Sequence, residues 1–183
     1  MKRELSAEGK KAALELVDEI QATRATRLLK PEEVPKVLLP YQAARQADPS
    51  PVRIDEKSRR IGISWGAQAA EAALEAASQP SAGGMDQVYM GYNMRMAAEF
   101  IGDCAFFAKA YALTCSRIDV DLETVVIDNE DRDIITYKIK FASGFVVEAL
   151  SNAPHNWRGR QGHARVDEAA FHPNLGEVVK GAL

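Results

Sequence analysis

Residues 93–117 read NMRMAAEFIGDCAFFAKAYALTCSR (Asn93–Arg117), and the fold turns on how this stretch is taken. With successive residues turned by about 100° on a helix, Phe100, Ile101, Phe107, Ala108, Tyr111 and Cys115 crowd the side that carries Cys104. Arg95, Glu99 and Lys109 fall opposite, together with Phe106 and Leu113. A helix that is apolar on more than one face belongs at the centre of a core or in a subunit interface. It is expected to begin around Asp86 or Asn93 and to end near Arg117. A cysteine in that setting is either a small buried hydrophobe or a thiol used for redox chemistry.

Downstream, Ile118–Asp128 (IDVDLETVVID) and Ile134–Ala142 (IITYKIKFA) are strand-like and joined by the polar turn 129–133, a hairpin pattern. Phe145–Leu150 is a short apolar run, 152–162 (NAPHNWRGRQG) a polar loop, and the tail from Asp167 holds another short helix. Upstream, the connector Pro80–Gly84 follows an Ala- and Glu-rich helical stretch, Gln68–Ala77. Val52–Asp55 and Arg60–Trp65 flank the polar turn Glu56–Arg59 and predict another β-hairpin. Asp48-Pro-Ser-Pro51 is a break. It divides an N-terminal helical arm (1–48) from an α+β domain (49–183). In the arm, 6–29 predicts one helix, and Pro31 ends it and opens a second that runs on to about Asp48.

The chain has 183 residues, net charge −3 and 46% hydrophobic residues, which suits a globular protein with one sizeable core. Lys57-Ser-Arg59-Arg60 and Arg158-Gly-Arg160 are short basic clusters that read as solvated turns, so no nucleic-acid partner is expected. Glu4, Glu8, Glu15, Asp18 and Glu19 interrupt the N-terminus, which carries no signal-peptide core. Glu99, Asp103 and Lys109 break the most apolar stretch, so no membrane span is expected and the protein reads as cytoplasmic. Cys104 and Cys115 on one helix would lie roughly 16 Å apart along its axis, too far for a disulfide. Their spacing also excludes a CxxC motif.

Other chemistry is sparse. His155, His163 and His172, with Asp167 or Glu168, have the residue types of a metal site, but their spacing matches no metal-binding pattern and no metal is expected. The loop around Trp157 and Arg158 could hold an anion or a carboxylate. There is no GxGxxG, P-loop consensus, GxSxG or HExxH.

The strand hairpin, the linker, Gly91-Tyr-Asn93, the Ala-rich approach to Cys104 and the run Arg117–Ile127 together resemble the OsmC/Ohr family of peroxide-defence and redox proteins, over residues 52–150. The resemblance implies an α+β fold of β-hairpins packed on a long central apolar helix, assembled as a homodimer, with the N-terminal arm as an addition. It implies a thiol hydroperoxide reductase in which Cys104 is the peroxidatic thiol, Arg60 (or Arg53 or Arg59) lowers its pKa and Glu99 holds that arginine. No cysteine follows in 150–170, so the chemistry would be one-Cys, with an external thiol as reductant and no cofactor. The alternative is a catalytically inactive dimer of the same fold, whose cleft, lined by Tyr92, Trp157 and Arg158, binds a small apolar or anionic ligand.

Overall fold

The computed structural model describes residues 11–12, 14–16, 38–111, 115–127, 130–150, 159–172 and 174–182, with side chains except at 115–135 and 181–182. The expected helix over 6–29, most of the second arm helix and the loop 151–158 lie largely outside the described residues.

Five strands form one mixed sheet: β1 (Gln87–Met90), β2 (Cys115–Ile127), β3 (Glu130–Phe141), β4 (Val146–Leu150) and β5 (His163–Val166). Their spatial order is β2-β3-β4-β1-β5. The first three are an antiparallel meander, in which β2 pairs with β3 from Ile127↔Glu130 outward and β3 with β4 from Thr136↔Leu150 to Lys140↔Val146. β1 then runs parallel to both β4 and β5. Helices cover one face. They are α1 (Pro40–Gln46), a π-helical turn over Ile63–Ala69 that runs straight into α2 (Ala70–Ala77), and α3 (Met94–Ala110). A last helix, α4 (Leu175–Ala182), buries Val178 against Val88, Met90 and Leu150 on the other face.

The central helix exists but is shorter than expected. Asn93 caps it by accepting a hydrogen bond from Met96 N at 3.0 Å, and it ends at Ala110. Cys115 already begins β2 and does not share a helix with Cys104. Phe100, Ile101, Cys104, Phe107 and Ala108 pack against Tyr137, Ile139, Val147 and Ala149 of the sheet. The hairpin over 118–142 and the strand within Phe145–Leu150 are present.

The hairpin expected over Val52–Trp65 is absent. Its alternation is turned inside out: Val52 is 67% and Ile54 93% exposed, while Arg53 and Asp55 point inward. Arg53 donates to Arg45 O at 3.0 Å and Asp55 accepts from Arg45 at 2.6 Å. Buried charge recruits the polar residues of this segment, and no ladder forms. The described end of the arm is likewise bonded into the body. Gln42, 1% exposed, accepts from Leu39 N at 2.8 Å and donates to Gly62 O at 2.8 Å. Among the described residues no helix is long and apolar enough to cross a membrane.

Candidate functional site

The carboxyl ends of the parallel strands β1 and β5 open into a cavity of about 670 Å³, the position where open sheets with helical crossovers commonly bind ligands. Its other wall is the segment Lys57–Trp65, which enters the helical run from Ile63. Gly62 makes that entry possible. Its φ of +79° is left-handed, and a Cβ there would stand 2.7 Å from the Gln42 amide. Gly66 N then donates back to Gly62 O at 2.8 Å, and the Tyr41 hydroxyl donates to Ile61 O. α1 thus clips the loop from behind while its front faces the cavity.

Asp167, the residue directly after β5, is the focus. It is 2% exposed and accepts from four donors. Lys57 Nζ lies 3.0 Å from Oδ1, and Glu168 N donates to the same oxygen at 2.9 Å. Ser64 Oγ and Tyr89 Oη donate to Oδ2, the latter at 3.1 Å. Burial alone would raise the Asp167 pKa, but the bonds from Ser64 and Lys57 overcome it and hold the carboxyl below its ordinary value. Burial and the neighbouring Asp167 charge push the Tyr89 phenol well up, so it stays a donor. Glu168 lies beside it, 3.2 Å from Lys57 Nζ. Burial opposes the Lys57 charge, yet the Asp167 and Glu168 carboxylates raise its pKa and keep it cationic.

Arg60 (φ 63°) and Glu168 (φ 52°) are the non-glycine residues with left-handed backbone among those described, and both line this cavity. Such conformations cost about 1–3 kcal/mol and concentrate at ligand-binding and catalytic positions.

The sequence-expected residues divide. Arg60, Glu99 and Tyr92 do line the cavity. Glu99, however, pairs with Arg95 at 3.1 Å rather than holding an arginine against a thiol. Tyr92 is 47% exposed and meets Phe171 edge-on at 6.4 Å. Trp157, Arg158 and His155 lie outside the described residues. His163 faces Glu75 at 2.7 Å and His172 bonds Asp167 O at 2.9 Å, so these two histidines do not converge on a common point.

Cys104 does not line the cavity; it is 0% exposed in the core. Burial drives its thiol far up, and Arg165, not Arg53, Arg59 or Arg60, is the cation that acts on it, too weakly to offset burial. A sealed, protonated thiol is a packing residue. In a Cys115→Ser background, an aromatic disulfide reagent should leave Cys104 untouched in native buffer and titrate it fully after denaturation. Fast native labelling would contradict this burial.

Sequence reasoning missed Lys57, Ser64 and Asp167 as a group because the P-loop consensus is absent. Ile63 stands where that pattern has its lysine, and no sequence spacing joins Lys57 and Ser64 to Asp167, which is 103 residues beyond Ser64. The available signals were Lys57…Gly62-Ile-Ser64 leading into a helix, and Ala164–Val166 ending in Asp167-Glu168.

Two curated proteins resemble the chain. It is 47% identical to the Mu-like prophage FluMu protein gp28 of Haemophilus influenzae over 147 residues, which are 80% of this chain and 28% of that protein. It is 41% identical to the probable terminase, large subunit gp28, of Escherichia phage Mu over 148 residues, 80% of this chain and 26% of that protein. The chain thus spans about a quarter of the length of the curated relatives it matches. No family model matches it, and no solved structure does. These relatives overturn the OsmC/Ohr resemblance, and with it both the peroxide-defence reading and the inactive OsmC-like dimer.

Proposed function

We propose that this chain is the nucleoside-triphosphate-binding part of a terminase-type large subunit, and that it hydrolyses the terminal phosphate. The observation that carries the reading is the convergence of Lys57, Ser64, Asp167 and Glu168 in the lining of one cavity. A glycine-containing loop that enters a helix, a lysine, a Ser/Thr hydroxyl and an acidic residue at the end of a parallel strand are the parts of P-loop nucleotide hydrolases. The 41% identity to the probable terminase, large subunit gp28, of phage Mu supports placing that site in a terminase-type large subunit.

In this reading the backbone N–H groups of the loop and the helix start face the phosphates. Lys57 neutralises their outer oxygens. Once Lys57 turns to the phosphates, Asp167 and Glu168 lose the cation that offsets them, and a divalent cation would restore the balance. Asp167 with the Ser64 hydroxyl is a suitable donor pair for Mg²⁺, which binds through one or two carboxylates and takes its other ligands from phosphate and water. When bound, Mg²⁺ neutralises charge on the β- and γ-phosphates. Tyr89 holds Asp167 in place from below. Glu168, released from Lys57 once that cation turns to the phosphates, accepts the proton of the attacking water. The water oxygen bonds the γ-phosphorus, the bond to the β-bridging oxygen breaks, and a nucleoside diphosphate and inorganic phosphate leave.

The test is titration of the chain with a fluorescent ATP analogue and Mg²⁺. Binding should saturate, and ATP and pyrophosphate should displace the analogue while adenosine does not, because the cradle recognises phosphate. Absence of binding, or equal displacement by adenosine, would refute the reading.

A further inference from the structure

Ser64 and Asp167 are 103 residues apart in sequence, yet their oxygens meet at 2.5 Å, and these two would hold the proposed cation. β5, which leads directly into Asp167, has four residues and pairs with β1 alone at the end of the sheet. Its backbone ladder is a weak means of fixing so small a gap. A second connection spans the same two elements. Side chains alternate along a strand, so Arg165 lies on the same face as Asp167. Its Nη2 reaches Glu71 Oε2 at 3.2 Å and Glu75 Oε2 at 3.1 Å on α2, and its Nη1 donates to Gln87 Oε1 on β1. Glu71 is about two helical turns beyond Ser64. The helical run and β5 are therefore joined by two rungs, Ser64–Asp167 at the cavity and Glu71–Arg165 behind it.

Glu71 carries more than that rung. Its Oε1 takes Arg53 Nη2 at 2.7 Å, and its Oε2 also takes Arg45 Nη1 at 3.1 Å. The side chains of Glu71 and Arg165 are 4% and 6% exposed. One carboxylate thus ties α1, the stem leading into the Lys57 loop, the helix leaving it and the strand that leads into Asp167. Buried ion pairs are weak devices for stability, and in some proteins they select one arrangement over its alternatives; a guanidinium with Nη2 against two carboxylates and Nη1 on Gln87 allows little rotation.

We infer that Glu71 and Arg165 are positioning residues that set the Ser64–Asp167 gap for the divalent cation accompanying a triphosphate. The inference rests on the proposed nucleotide site, where neither residue lines the cavity. It predicts a separation of two quantities. Metal-free binding of the ATP analogue depends on Lys57 and the loop and should stay within about threefold of wild type. The factor by which Mg²⁺ tightens that binding should fall about tenfold in Glu71→Met/Arg165→Met, which removes one charge of each sign and leaves Arg45 on Asp55, Arg53 on the Arg45 carbonyl and Glu75 beside His163. A purely structural role would let the Mg²⁺ factor recover together with the melting temperature of this balanced double variant. Arg165→Lys is the companion variant. It keeps the charge but loses the fork, and should lower the Mg²⁺ factor about three- to tenfold in a chain that melts near wild type. A wild-type Mg²⁺ factor in either folded variant overturns the inference alone. Failure of the wild-type chain to bind the analogue overturns the nucleotide site and the inference with it.

Discussion

Lys57→Met is expected to weaken triphosphate binding about 10- to 100-fold, as one hydrogen-bonded charge is worth about 1.5–3 kcal/mol. The readout is titration with the fluorescent analogue at fixed Mg²⁺. Methionine keeps the length and apolar stem of the side chain and removes only the ammonium, so the change isolates charge from packing. In the ligand-free chain the ammonium bridges Asp167 and Glu168 at 3.0 and 3.2 Å. Its loss therefore also acts on stability. Asp167 keeps its other donors, Ser64, Tyr89 and Glu168 N, which limits the cost to about 1–3 kcal/mol. Pairing Lys57→Met with Asp167→Asn separates the two effects. The double variant removes the stranded negative charge and should regain most of the melting temperature. Its affinity should remain low, because both the phosphate cation and the metal carboxylate are gone. Affinity that returns along with stability would mean that Lys57 is a structural cation and not a phosphate ligand.

The parts of the fold that were legible in the sequence are those with a long period. α3 announces itself by the spacing of Phe100, Ile101, Cys104, Phe107 and Ala108, and the β2–β3 hairpin by strand patterns on either side of a polar turn. β1 and β5 have four residues each. β1 is buried on both faces and shows no alternation, and in β5 the sequence His-Ala-Arg-Val has too little apolar content to read as a strand. Missing them hid the parallel half of the sheet, and with it the position of the cavity. The segment 52–65 fails in the opposite way: its alternation is real but points Ile54 outward, because Arg53 and Asp55 answer the charges of Arg45 and Glu71. At the site, the Lys57–Arg60 cluster reads as a solvated turn on composition, since only tertiary contact with Asp167 reveals what Lys57 faces. Arg60, Glu99 and Tyr92 were brought to the cavity, but the reason for choosing Arg60 and Glu99, a reactive Cys104, lies sealed in the core.

Gly162→Ala is expected to be among the most damaging single substitutions in the described chain, and it tests whether the placement of β5 controls the site. Gly162 has φ +129°, and a Cβ there would lie 2.1 Å from Asp86 O and 2.6 Å from Asp86 C. Both atoms are backbone, so no side chain can swing aside. The left-handed conformation costs an L-residue about 1–3 kcal/mol, and forced overpacking adds about 1–3 kcal/mol. A fall in melting temperature on the order of 10 °C follows for a chain of this size. The local consequence is more specific. Asp86 immediately precedes β1, and its carbonyl accepts His163 N at 2.9 Å, the bond that starts the β1–β5 pairing. Pushing the two strands apart at that point displaces the strand that leads into Asp167. Nucleotide binding should therefore weaken in Gly162→Ala at temperatures well below its own melting transition. Gly83→Ala is the control: it too has positive φ, but a Cβ there meets no atom within 4 Å. It should carry the backbone strain alone and bind as wild type does. Equal binding by both variants would show that the site tolerates movement of β5, and that Asp167 is held by the Lys57, Ser64 and Tyr89 contacts without help from the sheet.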